Sequence, residues 1–199
     1  MSEVSYSTQT KTVEFPQYTW SLMRWSFVIG LIPVLALIIA LAINSFYLLQ
    51  YVHVLCGGTW TGFDLFMGLV MTRIMRNLDI TARVEVAKRL TPTTFFIMPS
   101  LASVTIAAGI YVAQKMGIFD LNSPWIIAAG IVVLILSGQG FGVFMPNGLR
   151  IFIELSKPKP NVEKIAKLNM QNIRLAGSQA FFQVVLILIM AHLAVLGPY

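Results

Sequence analysis

The sequence predicts an all-α, polytopic membrane protein built as a bundle of five transmembrane helices. Of its 199 residues, 57% are hydrophobic and only 11% are charged, with a mean hydropathy of +0.77. This composition is far more apolar than that of an average soluble domain, and it excludes a soluble globular enzyme. Five apolar segments approach the roughly 20 residues that a membrane-spanning helix needs. No segment alternates polar and apolar residues over ten positions, which argues against an outer-membrane barrel.

The five predicted spans are residues 25–44, 46–71, 94–114, 125–149 and 175–196. They form one membrane domain, 25–199, which follows a cytoplasmic tail, 1–24, without the pattern of a removable signal peptide. A tight turn is expected at Asn44-Ser45, the only polar break between the first two spans.

Prolines and charges indicate further boundaries. Pro33, Pro99 and Pro146 lie inside apolar segments and predict kinks. The sequence Lys157-Pro158-Lys159-Pro160 ends the fourth helix, and a helical pattern from Val162 is expected to lead into the fifth. The charges of this loop are interpreted as a solvated surface that touches lipid headgroups.

The basic residues set the predicted orientation. With a cytoplasmic N-terminus and five spans, thirteen of the 14 basic residues face the cytoplasm and only Lys115 lies outside. This asymmetry predicts an N-in, C-out topology in the plasma or inner membrane. The net charge of +6 therefore reflects membrane topology, and nucleic acid is not an expected partner.

The two histidines are the strongest candidates for metal ligands. His53 lies about 10 Å along the second helix from its outer end, and His192 lies at a similar depth in the fifth, at 1.5 Å per residue. Two imidazoles at one level on different helices could bind a haem iron from both faces. Taken singly, each histidine could also be a ring hydrogen-bonded to a neighbouring carbonyl.

The residues after His53 extend this candidate site. Gly57 is one turn away on the same face, and Gly58 and Gly62 form a small-residue pair, so a flat macrocycle or a partner helix could approach closely. Trp60 and Asp64 continue the stripe. Asp64 could handle protons, or it could be a structural carboxyl partnered by the amide of Gln139, Gln179 or Gln183.

Cys56 is the only cysteine, so an intrachain disulfide, a zinc ribbon and a four-cysteine cluster are excluded. It is expected to be a small buried packing residue. Together with the histidines, Met116 and Met190, it could also serve soft Cu(I), which is the basis of a copper alternative.

With these residues the chain resembles a superfamily of small helical membrane proteins that includes the copper-resistance protein D family and the HemJ-type protoporphyrinogen oxidases. The resemblance is carried by His53, followed by Trp60-Thr61-Gly62 and an arginine at the helix end, and then by Lys88-Arg89-Leu90 leading through Pro99 to Gly109. It covers residues 46–196 at low identity. It implies a four-helix core that binds b-type haem or a porphyrin, with His53 at the haem-associated position and Lys88 and Arg89 at basic positions of the HemJ type.

The first helix and His192 have no counterpart in the HemJ pattern, which favours electron transfer over porphyrinogen oxidation. The expected function is that of a b-type cytochrome with one haem b between His53 and His192 and a pocket shaped by Gly57 and Trp60. An electron-transfer protein or a redox-complex subunit is favoured over a stand-alone enzyme. Expected partners are membrane lipids and a quinol or an extracytoplasmic redox protein, in a larger complex or a homo-oligomer. The alternatives are a copper-handling protein and an accessory subunit of a membrane redox complex.

Overall fold

The computed structural model describes the backbone of residues 16–199 and the side chains from Trp20 onward. This part of the chain folds into six helices: α1 (Pro16–Ala42), α2 (Phe46–Asn77), α3 (Ile80–Thr94), α4 (Ile97–Lys115), α5 (Pro124–Leu155) and α6 (Val162–Leu196). All except α3 are long and apolar enough to cross a membrane. The all-α, five-span prediction is confirmed.

The helices differ from the predicted segments mainly at their ends. Helix α1 begins at Pro16, so the second part of the predicted tail is helical, and the rest of that tail, with Lys11, lies outside the described residues. Helices α2 and α5 continue six residues beyond the predicted segments, to Asn77 and Leu155. A helix can extend past the apolar core of a bilayer, so hydropathy underestimates its length.

The turn between α1 and α2 is as tight as the sequence predicts. Asn44 adopts a left-handed conformation with φ of 52°, which asparagine tolerates better than most residues. The Ser45 hydroxyl then accepts a hydrogen bond from the backbone N–H of Leu48 at 3.2 Å and caps α2.

The three prolines predicted to kink helices lie in different surroundings. Pro99 is the third residue of α4, where its missing N–H has no partner to lose. Pro146 follows a π-helical segment of α5, Gly140–Phe144, which changes the backbone pairing just before the proline. Helix α2 contains a second π-helical segment, Phe66–Met71. Pro33 does lie inside α1, as predicted.

Helix α3 has no counterpart among the predicted segments because four of its 15 residues are charged. Its first turn is capped by the Asp79 carboxylate, which accepts from the N–H of Ala82 at 2.9 Å. Val84 and Ala87 are buried against Ile151, Leu155 and Ile165 of α5 and α6. An amphipathic helix therefore covers one end of the bundle.

We call this the basic end of the bundle, formed by α3, the end of α5 and the start of α6. The buried Glu154 carboxylate accepts from the ammonium groups of Lys157 and Lys164, both at 2.9 Å, and from the N–H of Asn161. The loop after α5 is thus tied to a buried carboxylate, whereas the sequence predicted only a solvated surface.

Helix α2 lies at the centre of the bundle. It packs against α4 on one side and against α6 on the other, while α5 packs against α6 and α1 covers α3 and α4. The largest apolar core lies between α2, α4, α5 and α6. This arrangement leaves space between α4 and α5 in the half of the bundle nearer the basic end.

Candidate functional site

Both histidines lie at the end of the bundle opposite the basic end. The ammonium group of Lys115 donates to Asn44, the Ser123 hydroxyl donates to the carbonyl of Pro198, and the Tyr199 hydroxyl donates to Asp120. These bonds bring the loops at 43–45, 116–123 and 197–199 together. His53 is seven residues from the start of α2 at this end, and His192 is four residues from the end of α6. Their placement at one end agrees with the sequence analysis.

The terminal pair, Asp120 and Tyr199, has shifted acidities. The hydrogen bond from Tyr199 lowers the pKa of the Asp120 carboxyl, with help from the N–H of Asn122. The same bond raises the pKa of the Tyr199 phenol, because it stabilises the protonated hydroxyl beside a carboxylate.

His53 is fixed against α4. Its Nδ1–H donates to the carbonyl oxygen of Thr105 at 2.9 Å, and this bond assigns the ring proton to Nδ1. The ring fits against Gly109, where a Cβ atom would lie 2.7 Å from Cε1. Nε2 therefore keeps its lone pair, the state that a metal-bound imidazole requires.

His192 is held by α5. Its ring stacks on Trp125, with centroids 3.7 Å apart and an interplanar angle of 25°. Its Nε2 is buried and has no hydrogen-bond partner in the described structure. Buried polar atoms are nearly always paired, so an unpaired nitrogen calls for an explanation.

The two rings thus have separate immediate neighbours, Thr105 and Gly109 for His53 and Trp125 for His192. The apolar core near them includes Val52 and Cys56 of α2 and Ile189 and Leu193 of α6. Cys56 is 5% exposed within this core, which confirms its predicted role as a packing residue.

The glycines near His53 divide between two environments. A Cβ atom on Gly57 would lie 3.1 Å from the Thr105 methyl group, so Gly57 lets α2 and α4 approach closely. Gly58 and Gly62 have nothing within 4 Å of such an atom. The predicted small-residue pair therefore makes no helix contact within the described chain.

Asp64 is only 2% exposed. Its Oδ2 accepts a hydrogen bond from the side-chain amide of Gln183 at 2.8 Å, and the Trp60 indole one turn earlier also donates to it. One of the three predicted amide partners is thereby identified. Gln139 and Gln179 donate elsewhere, to the Ser178 hydroxyl and the Leu136 carbonyl.

A cavity lies beside Asp64, between α4 and α5, with α2, α3 and α6 forming its other walls. Its lining is mostly apolar and includes Trp60, Phe95, Phe141 and Phe144. Neither histidine is among the lining residues. Trp60, predicted to shape a haem pocket near His53, thus lies on the wall of a separate space.

Several polar side chains converge on this cavity, among them Asp64, Asn169, Asn172 and Gln179. Asn172 accepts from the amide of Asn147 at 3.0 Å. Asn169 is 2% exposed, and its Nδ2 has no hydrogen-bond partner in the described structure. Sequence reasoning missed Asn169, although a polar residue at helical spacing from Ile165 and Ile173 was a signal for it.

The basic pair that carries part of the family resemblance lies on α3. Both Lys88 and Arg89 bond to the Glu85 carboxylate, Arg89 at 2.8 Å. The hydrogen bond from Lys88 is the main reason that the pKa of Glu85 is lowered. The next residues, Leu90 and Thr91, line the cavity.

In the described chain, no three side chains of the His, Cys, Asp and Glu types come together as a metal site. Comparison with known proteins gives no family model, no curated protein and no solved structure that matches this chain.

Proposed function

We propose that this protein is a b-type cytochrome that transfers electrons in the plasma or inner membrane, with His53 and His192 as the residues that bind haem b. The observation that carries the proposal is the unpaired, buried Nε2 of His192. Leaving a buried polar atom without a partner costs about 1–3 kcal/mol, and iron ligation would remove that cost.

The state of His53 supports the same proposal. A ligating histidine commonly donates its other ring N–H to a carbonyl, which orients the ring and leaves the second nitrogen unprotonated. The bond from His53 Nδ1 to Thr105 is of this kind. Both histidines lie at the same end of the bundle, and their chemistry suits residues that would hold a haem.

Haem b would supply one-electron chemistry, cycling between ferrous and ferric iron. A haem held by both histidines would be suited to electron transfer rather than to catalysis with oxygen or a substrate. Quinol and an extracytoplasmic redox protein are the proposed redox partners, within a homo-oligomer or a larger membrane complex.

Asp64 would have a structural role, and exchange of a proton with its carboxyl is a second proposed role. Its bond to Gln183 links α2 to α6. A carboxyl buried among apolar helices is costly unless it is paired or neutral. Asp64 lines the cavity, so a proton exchanged with its carboxyl would pass through that space.

The proposal is tested by absorption spectroscopy of the purified full-length protein, oxidised and then reduced, together with haem and copper analysis. We expect one haem b per chain and sharp α and β bands on reduction. His53→Ala and His192→Ala should each remove the low-spin spectrum, while Cys56→Ala, a change in the apolar core three residues after His53, should leave it intact. A colourless preparation with stoichiometric copper would overturn the proposal in favour of copper handling.

A further inference from the structure

The cavity between α4 and α5 is mostly apolar and neither histidine lines it, so the proposed haem site does not account for it. We propose that it is a binding site for an isoprenoid quinone. Quinol is a redox partner in the proposed function, and in that respect the site rests on it, but the observations for the site come from the cavity alone.

The entrance faces the lipid region. Ser103 and Phe141 line the cavity and are exposed, Phe141 by 56%. Ser103 lies within membrane-spanning helix α4, and Phe141 lies near the middle of α5. A ligand that enters between these two helices comes from the bilayer, so it must itself be soluble in lipid.

The polar groups suit a neutral head with hydrogen-bond acceptors. The amide Nδ2 of Asn169 is a buried donor without a partner, and a quinone carbonyl would satisfy it. The lining contains the Asp64 carboxyl and no lysine or arginine. A phosphate headgroup would meet an acidic group and no counter-charge, so a phospholipid is disfavoured.

The walls suit a ring with an apolar tail. Phe95, Phe144 and Trp60 provide flat aromatic surfaces, against which a quinone ring can stack. Cofactor sites are commonly mostly apolar cavities with a few fixed polar groups, and the lining of this cavity has that composition. An isoprenoid chain would leave through the opening between α4 and α5.

The test uses the full-length protein in phosphatidylcholine nanodiscs, titrated with decylubiquinone while tryptophan fluorescence is recorded. We expect saturable quenching with one site per chain, because Trp60 lines the cavity. Asn169→Leu should raise the Kd at least about fivefold through loss of one hydrogen bond. The matched control is Gln171→Leu, which removes an exposed amide from the same helix and should leave the Kd unchanged.

A second pair of variants keeps the test decisive if Asn169→Leu fails to fold. Ala102→Phe, on the cavity wall, should abolish saturable quenching, whereas Ala107→Phe, outside the lining on the same helix, should preserve it. Linear quenching that no variant alters would show simple partitioning and overturn the proposal. If added phosphatidylglycerol displaced decylubiquinone as well as a quinone does, the cavity would be a lipid site. If only protoporphyrin IX displaced it, the cavity would be a porphyrin site. Either result would overturn the proposal.

This assay requires no haem band, so its failure and the failure of the proposed cytochrome function are separate results. A colourless protein that binds decylubiquinone would keep the quinone site and remove the haem. A haem-loaded protein that quenches only linearly would do the reverse.

Discussion

Helices α2 and α6 approach each other closely at Gly68 and Gly177, and alanine substitutions there should lower stability to different extents. A Cβ atom on Gly68 would lie 2.3 Å from the Cα of Gly177. Carbon atoms in contact are about 3.5 Å apart or more, so Gly68→Ala requires the two backbones to separate by about 1.2 Å. Because the obstacle is backbone, no side-chain rotation can relieve the clash.

The reverse substitution is milder. A Cβ atom on Gly177 would lie 3.2 Å from the Cα of Gly68, a deficit of a few tenths of an ångström. Alanine also favours a helix over glycine by roughly 1 kcal/mol, which offsets part of the crowding. The third member of the series is Gly62→Ala, where nothing lies within 4 Å.

We expect Gly68→Ala to lower the free energy of unfolding by about 3 kcal/mol, the upper part of the range for overpacked cores. Gly177→Ala should change it by about 1 kcal/mol or less, and Gly62→Ala should raise it by about 0.5–1 kcal/mol. For a chain of this length, 3 kcal/mol corresponds to a Tm decrease on the order of 6–12 °C.

The assay is thermal unfolding of each variant in one detergent, followed by circular dichroism and by size-exclusion chromatography after heating. The order of Tm should be Gly62→Ala, then Gly177→Ala, then Gly68→Ala. If Gly68→Ala were as stable as Gly62→Ala, the close approach of α2 and α6 at this point would be refuted.

Three further predictions concern buried and terminal polar groups. Asp64→Leu should lower the free energy of unfolding by about 1–3 kcal/mol, because the amide of Gln183 is left unpaired. Asp64→Asn can still accept that hydrogen bond and should cost less. Chemical denaturation measures both variants, and equal losses would contradict this explanation. Gly109→Ala should push the His53 ring from its hydrogen bond, which ¹⁵N NMR of the two histidines would show as a mixed tautomer; an unchanged Nδ1–H signal would count against the packing described. Tyr199→Phe should raise the pKa of Asp120 towards its ordinary value, measured by carboxyl ¹³C NMR. Since folding lowers the pKa of Asp120, the stabilisation from this pair is present above the ordinary pKa of the carboxyl and is lost as pH falls through the lowered pKa. If Tyr199→Phe left the pKa of Asp120 unchanged, the hydrogen bond between the two side chains would be excluded.

The five spans were predictable because each apolar segment is long enough to cross a bilayer, and the turn at Asn44-Ser45 because both residues suit it locally. Helix α3 was not predicted because it is charged and amphipathic. Its buried face is defined only by contacts with α5 and α6, which its own sequence does not reveal. The π-helical segment before Pro146 depends on the backbone around a proline, and hydropathy carries no signal for it.

Some features of the candidate site were likewise predictable from the sequence, and others were not. Helix direction and length placed the two histidines at one end, and helical spacing indicated an amide partner for Asp64. The contacts of His53 with Gly109, and of His192 with Trp125, depend on how each helix is rotated about its axis. The cavity depends on the space between α4 and α5, which arises because each packs on a different neighbour.

Electron paramagnetic resonance of the oxidised, full-length protein tests the central claim most directly. If His53 and His192 both ligate iron, the spectrum is that of low-spin ferric haem, and His192→Ala converts it to high spin until added imidazole restores the low-spin signal. A low-spin signal that is unchanged in His192→Ala, or a protein that contains no iron at all, would contradict the account.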